Sequence, residues 1–468
     1  MPLPVLLDDA LIATESGFAV RLSLPWIRSM PLASVTELSV SIDGEPVAVP
    51  GHPEGDSGWW FIQDRLEVRG DGMLSPGLHD VAVSFTLVVP YLQAGPAGPL
   101  ALPFRAERSL RLGAAASDPL PGSSFSVVER AERNETPRAG DSAWMLSASA
   151  FNWTPEVIRA ERDAADIAVG VVEDGIAETI EIEAGQVWRS FPEPSDAEVG
   201  ALRDRLDAVG GAVTIVGASL DDWELPARRR SEQERLAFLV PQLRAAARLG
   251  ARGVRVPFGQ AGRELLRLVQ PVLDELDVVL YEEIQGQQTL DLPHVAANLE
   301  LLEALDDPRI RVLVDISMLM PSLPPSYLIE LRRGGVDAAL LDRLEHEWRA
   351  PETHAAVISA LREGRVPPPV HTLFMNLLVR FGRSGIADLE PLLPLTAGVH
   401  LKFWDLDDTD GRVSRPIADV GAALQRTGFA GTLTSEWGGH EWLDADPVAT
   451  TRAHLEISRR ALSGIAVP

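Results

Sequence analysis

The chain has no cysteine and a single lysine in 468 residues. Without cysteine there is no disulfide, no thiolate nucleophile and no thiolate metal site. The one ammonium group, Lys402, lies in the apolar run GVHLKFW, two places after His400. Positive charge is scarce altogether: 42 Lys plus Arg stand against 68 Asp plus Glu, for a net charge of −26. That field repels a polyphosphate or an anionic membrane surface, so neither nucleic acid nor a membrane is expected as a partner. Long apolar helices are missing as well. Residues 81–104 carry no charge, but Pro90, Pro96, Pro99 and Pro103 with Ser84, Thr86 and Gln93 mark strands and loops there. The start, MPLPVLLDDALIATES, has no basic region and reaches Asp8 and Asp9 after a short apolar stretch. It is not expected to be a signal peptide, and a cytoplasmic location is the expectation.

What is present is a globular composition, 46% hydrophobic and 24% charged, at a length that suits one large and one smaller domain. Residues 1–115 read as an all-β, sandwich-like domain. Leu38, Val40 and Ile42 alternate with Ser39 and Ser41 into an Asp43-Gly44 turn, and Val81, Val83, Phe85 and Leu87 alternate again. Residues 116–141 are rich in Ala, Ser, Pro and charge without periodicity, and are expected to be a linker. From 142 to 468 the rhythm changes to short apolar runs separated by helical stretches such as SEQERLAFLVPQLRAAARLG. The runs are AWMLSAS, ETIEIE, AVTIVG, RGVRVP, LDVVLYEEI, RVLVDIS, GVHLKFW and GTLTSEW. Eight strands alternating with helices predict an α/β fold, a (β/α)8 barrel. Residues 318–397 hold roughly twice the usual material between two strands, an insertion expected to cover part of the barrel mouth.

Side chains alternate along a strand, so the residues that share the inward face can be picked out. In the seventh run Val399, Leu401 and Phe403 face the helices, which turns His400 and Lys402 inward. The same test turns Glu283 rather than Glu282 inward, with Gln285, and turns Asp315 and Glu436 inward in their runs. Each acid lies at or near the last residue of its strand, at the rim where such barrels do chemistry. Three carboxylates around one imidazole repel each other in a poorly solvated pocket, and a divalent cation neutralises them. Glu283, Asp315, His400 and Glu436 are therefore the candidate metal ligands. Three oxygen donors and one nitrogen suit manganese first, with magnesium, cobalt and zinc as alternatives.

These motifs resemble the xylose-isomerase-like sugar isomerase and epimerase superfamily. EEIQ is similar to its Glu-Ile-His segment, VLVDIS to its Asp strand, GVHLKFW to its His strand and SEWGGHEW to its last Glu strand. The N-terminal stretch GFAVRLSLPWIRSMPLASVTELSVSIDGEPV resembles the small β subunit of C-glycoside deglycosidases, whose large α subunit is a barrel of this kind. The resemblance implies both subunits fused in one chain, small then large, acting on 3-oxo-glucosides. A ketone at C3 acidifies the C2 proton, and loss of the C1 substituent follows as a β-elimination.

Lys402 then either stabilises negative charge on substrate oxygen, carries a proton, or pairs with Asp405, Asp407 or a ligand carboxylate. Gln285 stands where the resemblance implies a histidine base, and glutamine takes no proton at neutral pH. His440 is the candidate replacement unless it is an exposed loop residue; His354 and His371 in the insertion are further candidates. Trp437 and Trp442 are candidates to stack on a sugar face or an aromatic aglycone, with plain packing as the other reading. Three other functions compete: a ketose epimerase or aldose-ketose isomerase at the same metal site, a non-catalytic sugar-binding protein, and an abasic-site nuclease, which the charge disfavours. The expected partner is a small-molecule glycoside. A homo-oligomer stays open, since the β module caps either its own barrel or a neighbour's.

Overall fold

The computed structural model describes residues 4–49, 58–93, 98–113, 144–224 and 228–463. The linker expected over 116–141 lies outside the described residues. Eight parallel strands close a barrel in chain order: Met145–Ser149, Thr179–Glu183, Ala212–Gly217, Gly253–Pro257, Val279–Ile284, Ile310–Asp315, Thr396–Phe403 and Thr432–Trp437. All eight apolar runs become strands. Ile215, Tyr281 and Leu313 from three of them meet in the barrel interior as a small apolar cluster, with Val279 and Ala397 against it. This plug leaves the polar inward residues at the C-terminal rim, where a barrel of this type carries its chemistry.

Helices pack outside. Glu232–Leu249 shows why the local sequence suffices: Ser231 and Glu234 form a capping box at its start, and Gly250 closes it at φ +75°. The last helix, Pro447–Leu462, carries His454 under the barrel wall. The His454 ring is fully buried, stacked 3.7 Å from Phe403, with Nδ1 2.8 Å from Ser435 Oγ. Burial pushes its pKa down to about 3. A folded pKa below the unfolded value near 6.5 means stability present above about pH 6.5 and lost as pH falls toward 3, on the order of 5 kcal/mol. In urea melts from pH 7 to pH 4, His454→Asn, which keeps a group for Ser435 but cannot charge, is expected to flatten that decline. An unchanged slope would contradict it.

The insertion folds as Pro325–Arg333, Ala338–His346 and Pro351–Arg362 with shorter turns. It has its own apolar core, in which Tyr327, Trp348, Phe374 and Phe381 pack with Trp404 and Trp442. Those two tryptophans follow the seventh and eighth strands, so the insertion sits over that side of the rim. Gly286, at φ +56°, lets its backbone meet the Val379 carbonyl, where a Cβ would clash.

The N-terminal residues form a three-stranded sheet, Leu11–Ala13, Gly17–Ser23 and Arg65–Asp71, and a four-stranded sheet, Glu45–Val47, Val35–Ile42, Leu78–Gln93 and Pro99–Arg111. The segment after Gly17–Ser23 docks on this chain's own barrel. Ser29 donates through N and Oγ to the Gly185 carbonyl at 2.8 and 2.7 Å, and Gln186 Nε2 donates to the Ile27 carbonyl at 2.7 Å. Arg28 pairs with the buried Asp221, and its guanidinium lies 4.2 Å over the Tyr91 ring. These contacts seat the segment at the end of the second strand of its own chain's barrel. Among the described residues no helix is long and apolar enough to cross a membrane.

Candidate active site

The pleat brings the four expected donors together. One ligand atom from each of Glu283, Asp315, His400 and Glu436 lies within 4.8 Å of the others, and all four residues are buried. Strand register explains this: Asp315 pairs with His400 across the sixth and seventh strands, and Lys402 pairs with Glu436 across the seventh and eighth. His400 Nδ1 lies 3.0 Å from Glu283 Oε1 and 3.2 Å from Glu436 Oε2. Asp315 Oδ1 accepts from the Ser317 amide at 2.7 Å, while Oδ2 is buried with no hydrogen-bond partner. A buried carboxylate oxygen without a partner, beside three other donors, fits a cation.

Lys402 donates to Glu436 Oε2 at 2.7 Å, so among the pairs foreseen it takes the carboxylate of a candidate ligand rather than Asp405 or Asp407. Its Nζ also stands 5.1 Å over the Phe151 ring. Phe151 lies 4.9 Å from the His440 ring and so brings Lys402 and His440 around one aromatic ring.

His440 is not an exposed loop residue. The short turn Gly439–Glu441 folds it inward, 4% exposed, with both ring nitrogens buried and unpartnered. Burial, then Lys402 and Arg380, pushes its pKa down to about 3, so the ring is neutral near pH 7. Glu282 points the other way, to Asn298 on the helix layer, as the pleat requires. Gln285, one residue past its strand, is half-buried, and its backbone N–H donates to Gln288 Oε1 at 3.0 Å.

Neither tryptophan has the free face that stacking on a substrate requires, and this corrects the stacking expectation. Trp437 shares the outward phase of Leu433, is 1% exposed, and donates to the Trp404 carbonyl at 2.9 Å. Trp442 is buried against Tyr327 and donates to Ser326 Oγ at 3.0 Å. Trp442 ties the rim to the insertion, and Trp437 packs within the rim against Trp404 and His440. His354 is half-buried near Arg383 and His371 is exposed.

Three charged residues escaped the sequence reading. Arg255, on the fourth strand, donates through Nε to Glu181 at 2.6 Å, through Nη1 to Glu283 at 3.0 Å, and through Nη2 to Glu183. Glu181 is fully buried, with both oxygens 3.1 Å from His400 Nε2. The signal was available, since ETIEIE and RGVRVP carry these charges in alternation with Ile180, Ile182, Val254 and Val256.

The charges shift one another. Burial raises Asp315 to about 6, with Lys402 opposing. Burial also pushes Glu436 up, but His400 and then Lys402 outweigh it and hold that carboxyl well below its usual range. For His400 burial pulls down, yet the carboxylates of Glu436, Glu181 and Glu283 hold the imidazole well above its usual value. Glu183 is driven up to about 7, first by burial and against Arg255.

No family model matches the chain. It is 28% identical over 302 residues to the C-glycoside deglycosidase alpha subunit of Arthrobacter globiformis, covering 62% of this chain and 85% of that protein. It is 25% identical over 314 residues to the 3'-dehydrocarminate deglycosidase alpha subunit of a Microbacterium species, covering 64% of this chain and 90% of that one. The beta subunit of that name, also from Microbacterium, matches at 35% over 108 residues, 19% of this chain and 78% of the subunit. Among solved structures, D-psicose 3-epimerase from Clostridium cellulolyticum H10 superposes at a TM-score of 0.43 with 14% identity, covering 68% of this chain and 99% of that one.

Proposed function

Since the chain belongs to the C-glycoside deglycosidase family, we propose that it cleaves 3-oxo-glucosides by removing the C2 proton and expelling the aglycone from C1. In this reading a β-subunit-like module at residues 1–115 precedes an α-subunit-like barrel at 142–468. The observation that carries it is the buried quartet Glu283, Asp315, His400 and Glu436 with Lys402 bonded to its edge. Those four residues would hold a divalent cation, manganese by the balance of three oxygens to one nitrogen. When bound, it supplies Lewis acidity toward a ketone and a neighbouring hydroxyl.

The chain's own side chains do the rest. His440 is neutral and has two free ring nitrogens, the form that a base needs, and takes the C2 proton. The electron pair left at C2 moves toward the C3 ketone, whose oxygen becomes negative, and the Lys402 ammonium faces that charge. As the C3 carbonyl re-forms, the C1–aglycone bond breaks, its electron pair leaves with the aglycone, and a C1–C2 double bond remains in the 3-oxo sugar. The proton on His440 is then the one that the departing aglycone takes up. Gln285 orients a sugar hydroxyl or a water.

The test is aglycone release from C- and O-linked 3-oxo-glucosides, followed by chromatography with manganese present and after a chelator. Chelator-sensitive release is the expected result. No release from either substrate, in protein shown to carry metal, overturns the reading. Weight then passes to ketose epimerisation or isomerisation, for which Glu283 and Glu436 flank the His400 Nδ1 edge at 3.0 and 3.2 Å.

A further inference from the structure

The two nitrogens of His400 have different surroundings. Nδ1 faces the other candidate ligands, Glu283 Oε1 at 3.0 Å and Glu436 Oε2 at 3.2 Å. Among the described residues Nε2 is bonded to Glu181 alone, at 3.1 Å from each oxygen, and Glu181 is not one of the four. An imidazole that gives a lone pair from one nitrogen keeps its proton on the other, and the acceptor there decides which nitrogen is which. Here the only nitrogen turned to the other donors is Nδ1, so the proton belongs on Nε2, with Glu181 accepting it.

Glu181 does not choose its own position. It is fully buried, and Arg255 Nε fixes its Oε1 at 2.6 Å. The same guanidinium holds Glu283 Oε2 at 3.0 Å through Nη1, which leaves Oε1 as the Glu283 oxygen turned to His400. One planar fork, which a lysine could not imitate, thus orients a carboxylate on the second strand and another on the fifth. Its third contact, to Glu183, lies on the rim side and does not reach His400.

We propose that Glu181 and Arg255 are the positioning pair of the candidate metal centre: Glu181 sets the His400 tautomer with Nδ1 free, and Arg255 fixes both Glu181 and the Glu283 oxygen that is offered. This rests on the reading that the quartet holds a divalent cation. The plainer account is a buried ion pair that only stiffens the barrel, and the two accounts separate at the metal. Glu181→Gln keeps size, but its amide must place a donor against either His400 Nε2 or the guanidinium. In the first case the proton is driven to Nδ1, and in the second Arg255 Nε loses its acceptor and the carboxamide is displaced.

The experiment is titration of the purified full chain with Mn2+ in competition with a fluorescent chelator, for wild type, Glu181→Gln and Glu183→Gln. Glu181→Gln is expected to weaken Mn2+ binding by about 10- to 100-fold. Glu183→Gln, which alters an acceptor of the same guanidinium without touching His400, is expected to stay within about threefold of wild type. Equal losses in both variants, or no loss in Glu181→Gln, overturn the proposal. A reading that needs no variant comes from 15N-histidine spectra of wild type loaded with diamagnetic Zn2+: His400 should show Nε2–H with Nδ1 bound, and the reverse assignment also overturns it. Wild type that binds no divalent ion removes both this pair's role and the metal-dependent function. Wild type that binds Mn2+ but cleaves no 3-oxo-glucoside removes only the function.

Discussion

Lys402→Met is expected to lower kcat for aglycone release by about 10²- to 10³-fold at saturating manganese, with little change in KM. The argument begins from scarcity: apart from the histidines, every other basic side chain in the protein is an arginine. A guanidinium is a flat fork suited to fixed, two-point contacts, as Arg255 demonstrates on Glu181 and Glu283. An ammonium is a compact charge with three rotatable donors. Lys402 spends one donor on Glu436 Oε2 and stands over Phe151, which leaves further donors for a substrate oxygen. If it were only the counter-ion of Glu436, a bound cation would largely replace it, and the methionine variant would regain activity once saturated with metal. The two roles therefore part at high metal concentration. A kcat within about threefold of wild type there would assign Lys402 to charge balance alone, since a lost oxyanion donor costs far more. Unfolding of the chelator-treated variant gives an independent reading. With Lys402 gone, Glu436 keeps only His400 and a distant Arg255 for compensation, and breaking a buried pair from one side costs about 3–5 kcal/mol.

The barrel was legible because two periodicities of the chain agree. Apolar runs spaced by helical stretches announce eight strands, and within the runs the two-residue alternation sorts the walls from the interior. That is why Glu283 could be chosen over its neighbour Glu282, and why His400 and Lys402 could be placed on one face. The same alternation had more to say. In TIEIE it turns Glu181 inward with the same certainty, and in GVRVP it turns Arg255 inward, yet both runs read simply as strands. It also sends Trp437 outward, the residue after an inward glutamate, so its packing role was implicit in the phase. Other features were out of reach of any local pattern. His440 depends on a three-residue turn folding its ring against Phe151, and that turn has no periodicity to read. The seat of the β module depends on residues far apart in the chain: Arg28 meets Asp221 across 193 positions.

That long-range pair supports the second large effect. Arg28→Ala is expected to destabilise the protein by about 3–5 kcal/mol in equilibrium urea unfolding, because it strips a buried carboxylate of its ion-pair partner and leaves it only the charge of Arg230. Asp221 is fully buried, and Arg28 is its ion-pair partner in a setting where Oδ2 already finds no other. Burial raises the Asp221 pKa even with Arg28 opposing, so losing the guanidinium raises it further. The sign follows. A folded carboxyl pKa above the unfolded value means stability present at low pH and lost as pH rises through that folded value, so the gap between variant and wild type should widen with pH. Removing both charges, with Arg28→Met and Asp221→Leu together, should recover most of the loss, since an apolar pair carries no desolvation cost. A small loss in Arg28→Ala, under about 1 kcal/mol, would assign the docking to Ser29 and Gln186 instead. The consequence reaches the site: Gly185, held by Ser29, lies two residues past the strand that carries Glu181 and Glu183. A module that lets go of Gly185 loosens the end of that strand, and with it the carboxylate that faces His400.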